Sequence, residues 1–139
     1  MSAKVRAEML LNLNGGNHLD TQTIQVDFPF KELFGLIITS WECPYPTPPS
    51  GPVACFVLHG PNQDSLLSLV RDERGLSWKV GEPECEGLCF RPGFILSGVN
   101  VNITQRNRDP IWKVNFHSPT GWFRLEAGAQ SPWARIVFP

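Results

Sequence analysis

Apolar and polar positions alternate along most of this 139-residue chain, with the period of a β-strand rather than a helix. In TIQVDF (23–28), Ile24, Val26 and Phe28 fall on one face. LSWKV (76–80) alternates in the same way, and in VNVNI (99–103) Val99, Val101 and Ile103 oppose Asn100 and Asn102. FGLIITSW (34–41) and VACFVLH (53–59) are compact apolar runs of strand length, rich in β-branched and aromatic residues. SLLSLVR (65–71) has a helix-compatible composition, but the turn signals GPNQD before it and DERG after it favour a strand. Three further strands, IWKVNF (111–116), GWFRLE (121–126) and WARIVF (133–138), each follow a turn that contains proline. VRAEMLLNL (5–13) fits a helix or a strand and ends at Asn14-Gly15-Gly16-Asn17. Short strands with turn signals every 8 to 12 residues predict an all-β, antiparallel sandwich or jelly roll of eight to ten strands. There is no internal repeat or domain boundary. The reading is therefore one domain over 1–139, with residues 1–22 as an extended N-terminal arm.

Composition narrows the function more than the fold. Only 18% of the residues are charged, below the roughly 25% of an average soluble domain, while 42% are apolar. Less of the surface is therefore expected to face plain water. A net charge of −1, with basic residues scattered along the chain, argues against nucleic-acid binding driven by phosphate neutralisation. No apolar run approaches 18 residues, and MSAKVRAEML carries charges where a signal peptide needs an apolar stretch. These features predict a soluble chain without a cleaved signal, located in the host cytoplasm or in a virion.

WECPYPTPPSGPVACF (41–56) interrupts the strand pattern with five prolines. Neither half of the chain could bury a core alone, so the stretch is a loop between strands and not a linker. Each proline fixes φ and biases its predecessor to extended geometry, which lowers the entropy lost when the loop is ordered against a partner. Long loops inside compact domains usually carry function. Pro46-Thr47-Pro48-Pro49 also satisfies P-x-x-P, the pattern of polyproline ligands, but no Arg or Lys flanks it to pair with an acidic groove. We expect residues 44–52 to form a contact surface through Tyr45, Pro46, Pro48 and Pro49, joined by Trp133. Tyr45 is the only tyrosine, an amphipathic ring between two prolines.

Candidate chemistry is sparse. LHGPN (58–62) superficially resembles the oxyanion loop of an α/β-hydrolase, but the G-x-S-x-G elbow of that fold is missing. His18, His59 and His117 lie in three different turns, and the carboxylates are dispersed apart from Glu82, Glu84 and Glu86. That group reads as a solvated acidic loop in preference to a calcium site. Cys85 and Cys89 have a zinc-knuckle spacing, but Cys43 and Cys55, twelve apart across the proline loop, are not the usual second pair. Reduced cysteines and no metal or cofactor are the expectation, and no enzymatic activity is assigned. Asn102-Ile103-Thr104 is a formal glycosylation sequon without a secretory route to use it. Core packing accounts for most of the five tryptophans and nine phenylalanines, although five large tryptophan rings are generous for one small sandwich. Aromatic surfaces of this kind suit either protein interfaces or stacking on sugars.

In TIQVDFPFKELFGLIITSW, a strand bearing an Asp leads through a phenylalanine-rich turn into an apolar strand. LSWKVGEPECEGLCFRPGFILSGVNVNI then runs from a strand through a Gly-containing loop and a Pro-Gly corner to an alternating strand, and IWKVNF follows. This order of elements, from Thr23 to Phe116, resembles the small jelly-roll structural proteins of icosahedral bacteriophages, of the penton or vertex type. The loop at 44–52 and the cysteine-bearing loop are larger than in that family, and residues 117–139 add two strands. The resemblance implies a non-enzymatic capsid subunit that forms a homo-oligomer and contacts other structural proteins. It brings no site residues, because the family has no catalytic site. The alternative is a lectin-like module that binds carbohydrate on exposed tryptophans.

Overall fold

Ten strands account for most of the chain in the computed structural model, which describes residues 22–44, 47–82, 88–89, 93–106 and 108–139. In chain order they are β1 (Gln22–Val26), β2 (Ile37–Glu42), β3 (Gly51–His59), β4 (Asp64–Asp72) and β5 (Gly75–Gly81). They continue with β6 (Leu88–Cys89), β7 (Gly98–Arg106), β8 (Asp109–Ser118), β9 (Gly121–Gly128) and β10 (Ala134–Val137). A 3-10 turn, Lys31–Leu33, separates β1 from β2. All pairings are antiparallel and fall into two five-stranded sheets, β1-β7-β8-β9-β10 and β5-β4-β3-β2-β6.

The two sheets face each other across one core, so the chain is an all-β sandwich. Each sheet is a four-strand meander with a fifth strand added at its edge. β6 returns beside β2, the first strand of its meander, as the last strand of a Greek key does. The alternation works as the sequence implies. Val99, Val101 and Ile103 of β7 and Trp112, Val114 and Phe116 of β8 are buried, while Asn100 and Lys113 between them are exposed. Phe56 of β3 meets Phe116 and Phe123 from the opposite sheet, with ring centroids 4.9 and 5.6 Å away. Phe116 and Phe123, paired across β8 and β9, stack at 4.7 Å with their planes 12° apart. Burial of these large rings supplies much of the driving force for closing the sandwich.

Three details depart from the sequence pattern. The apolar run 34–41 begins in a turn, because Gly35 takes a φ of +98° after the 3-10 turn and Phe34 stacks on Phe28 instead of joining the strand. The proline stretch ends earlier than residue 52, since Gly51 and Pro52 already belong to β3. Pro52 sits opposite Val70 beside a register shift, the kind of irregularity where a ladder tolerates a missing donor. Leu88–Cys89 forms the short edge strand β6 within the stretch read as a cysteine-bearing loop. No helix among the described residues is long and apolar enough to cross a membrane.

Candidate functional site: the proline loop and the surfaces it joins

The outer faces of the two sheets differ in chemistry. Outside the first sheet, Glu126 is buried but held by Arg135 at 2.6 Å and Arg124 at 3.6 Å, and Arg124 donates to Asn115 at 2.9 Å. That is a satisfied polar surface. Outside the second sheet, the register puts Cys55 and Val57 on the face away from the core, yet both are buried. Val53 to Leu58 is a continuous buried run, the composition expected of a strand covered on both sides. The proline loop lies at the end of this sheet.

One buried cation anchors the loop. In β4, Leu67, Leu69 and Arg71 share the inward face, and Arg71 is only 3% exposed. Its Nη1 donates to the carbonyl of Pro48 at 2.8 Å. Its Nη2 donates to the carbonyl of Gly128 at 2.8 Å and to that of Trp133 at 3.2 Å. The guanidinium thus ties the loop between β2 and β3 to the turn between β9 and β10, across the sandwich. Burial pushes the Arg71 pKa down from its ordinary value, and the negative charge of Asp109 partly opposes this. Asp109 also accepts from the backbone N–H of Gln130 at 2.8 Å, which braces the same turn. Nε of Arg71 is buried and finds no acceptor among the described residues. Such a cation is costly to bury, and the three carbonyls are what make the position tenable.

Within the loop, Thr47 is buried and its hydroxyl donates to the Pro44 carbonyl at 3.5 Å. Pro48 is half-buried at the anchor, and Pro49 and Ser50 are exposed. Across the anchor, Pro132 is exposed and Trp133 half-buried, with Trp133 Nε1 packed against Gly128. The structure therefore brings together Pro48 and Trp133, two of the contact residues expected from sequence, with Pro49 beside them. Tyr45 and Pro46 lie outside the described residues.

The ends of the loop also wall a cavity of about 580 Å3 on the outer face of the second sheet. Pro44, Gly51 and Pro52 form one side. The floor contains a single cross-sheet row, Glu42, Cys55, Ser68 and Lys79, contributed in register by β2, β3, β4 and β5. Leu66 and Val70 flank the row, and Glu82 stands at the rim. The Ser68 hydroxyl donates to Cys55 Sγ at 3.5 Å. Burial pushes the Cys43 thiol up, and the neighbouring Cys55 adds to the shift. Cys43 and Cys55 are both free thiols.

Among the described residues the remaining candidates do not converge. His59 on β3 pairs with Asp64 at 2.7 Å, and His117 on β8, in the other sheet, approaches Asn100 at 3.0 Å. No group of three or more His, Cys, Asp or Glu suited to a metal ion occurs among the described residues. His18, Cys85, Glu84 and Glu86 lie outside them, and of Cys89 only its strand position is described. Trp112 is buried, Trp41 and Trp78 pack against the core, and Arg124 lies 5.5 Å over the ring of Trp122.

Pattern reading overlooked Arg71 and the Glu42–Lys79 row. Arg71 did leave a signal, because it continues the Leu67–Leu69 alternation and so had to face inward. The row could not be read from sequence, since only strand register creates it. Comparison with protein-family models, curated proteins and solved structures finds no match for this chain.

Proposed function

We propose that the chain is a non-enzymatic structural subunit, of the viral capsid or vertex type, that works through contacts with copies of itself and with other structural proteins. The observation that carries this reading is the Arg71 anchor, which holds Pro48 and Trp133 in one fixed arrangement at the surface. A contact surface ordered in advance loses little entropy when a neighbour docks. Pro49 and Pro132 stand exposed beside the anchor, and Trp133 at the anchor is of a residue type that desolvated contacts enrich. The resemblance in element order to phage vertex proteins points the same way. A carbohydrate platform would need an open tryptophan face, and none of the five tryptophans is more than partly exposed.

The test is the solution mass of the full chain by analytical ultracentrifugation. We expect a stable oligomer, and Pro49→Asp, at an exposed position, should dissociate it into folded monomers. A concentration-independent monomer retained on a glycan column would replace this reading with the carbohydrate-binding one. An oligomer indifferent to Pro49→Asp and to Trp133→Ala would move the contact away from the loop.

A further inference from the structure

We infer that the 580 Å3 cavity beside the proline loop is a binding site for a short peptide with apolar side chains and free termini. Its volume falls within the range of small-ligand pockets, and its apolar walls are Pro44, Pro52, Leu66 and Val70. What selects the ligand is the row across its floor. Glu42 and Lys79 occupy opposite ends, separated by Cys55 and Ser68. Neither charged residue forms an ion pair with a described residue. Among the described residues each end therefore offers a charge without an ionic partner, negative at β2 and positive at β5.

Length supports a peptide. Three inter-strand steps of about 4.8 Å set the backbones of Glu42 and Lys79 about 14 Å apart. Both side chains stand on the same face of the sheet and are long and flexible, so their charged ends can lean toward each other over Cys55 and Ser68. That brings them within reach of the two ends of a dipeptide, whose ammonium and carboxylate lie about 7 Å apart at about 3.5 Å per extended residue. The ammonium then pairs with Glu42 and the carboxylate with Lys79, while the side chains rest on Leu66 and Val70. Ser68 is 5% exposed and donates only to a sulfur, a weak acceptor, so its oxygen lone pairs remain for a peptide N–H. Glu82 at the rim gives the cavity a second carboxylate, which disfavours acidic side chains in the ligand. This site shares Pro44, Gly51 and Pro52 with the loop of the proposed assembly role, but the charged row on its floor belongs to one subunit and does not need a second.

The test is calorimetric titration of the full-length protein with Leu-Leu, in parallel with the same dipeptide acetylated at its N-terminus and amidated at its C-terminus. We expect saturable binding of Leu-Leu at millimolar concentrations or below, and blocked peptide weaker by at least about tenfold. Lys79→Met, at an exposed position, and Glu42→Gln should each weaken Leu-Leu by about tenfold. Absence of binding, equal binding of the blocked peptide, or unchanged affinity in both variants would each overturn the inference. A parent protein that binds Leu-Leu without forming oligomers would keep this site and remove the assembly reading.

Discussion

Arg71 and Pro48, 23 residues apart in sequence, are joined by a 2.8 Å hydrogen bond between a guanidinium and a backbone carbonyl. The same guanidinium reaches 57 residues forward to Gly128, so one buried side chain of the second sheet ties the proline loop to the last hairpin of the first. A proline-rich segment lacks many of the N–H groups with which loops usually tie themselves down. Carbonyls are what it has to offer, and a multi-donor cation is the complementary partner.

Replacement of Arg71 by Met should therefore both destabilise the protein and free the loop. Hydrogen bonds to a charged group are worth about 1.5–3 kcal/mol. The substitution also takes the Arg71 donor from the Gly128 and Pro48 carbonyls, while the Trp133 carbonyl keeps the backbone N–H of Gly128. We expect the urea midpoint to fall accordingly, with new protease cleavage between residues 44 and 50. Unchanged unfolding and an uncut loop would show that the proline stretch holds its shape alone.

Gly128 faces the other side of the anchor at very close range. A Cβ there would meet Trp133 Nε1 at 2.7 Å, Asp109 Oδ2 at 3.0 Å and the Ser131 carbonyl at 3.2 Å. Gly128→Ala should cost about 1–3 kcal/mol through overpacking. Adding Trp133→Phe removes the nearest atom and should recover part of the loss, a non-additivity that equilibrium unfolding of the two single variants and the double variant would measure. Strict additivity would mean that the indole moves aside freely.

The Cys43 thiol gives a pH dependence whose sign follows from its environment. Burial and the nearby Cys55 favour the protonated form in the folded state, so the folded pKa lies above the unfolded one. The stability contribution is fully present below the unfolded thiol pKa of about 8.5 and is lost as pH rises through the folded value. We expect the alkaline decline in stability to be shallower in Cys43→Ser than in the parent. Peptide mapping should also show that iodoacetamide labels Cys43 more slowly in folded than in unfolded protein at neutral pH. Equal rates would place the thiol in open solvent.

Local pattern was sufficient to identify most of the strands. TIQVDF, VNVNI and IWKVNF each place alternate side chains on one face, and in the structure those faces, with Ile24, Val101 and Phe116, form the core. Turn positions were legible for the same reason, since proline, glycine and asparagine act on the backbone dihedrals of their own neighbourhood. The pair Leu88–Cys89 was too short to show any period, and it is a strand only because β2 offers an edge. Strand order, the meeting of Pro48 with Trp133 at Arg71, and the alignment of Glu42 with Lys79 all arise from register between segments far apart in the chain. Alternation tells a side chain which face of its own strand it occupies. Its neighbours across the sheet are selected by the packing of the whole core, because a one-residue slip would turn every apolar side chain of the strand outward.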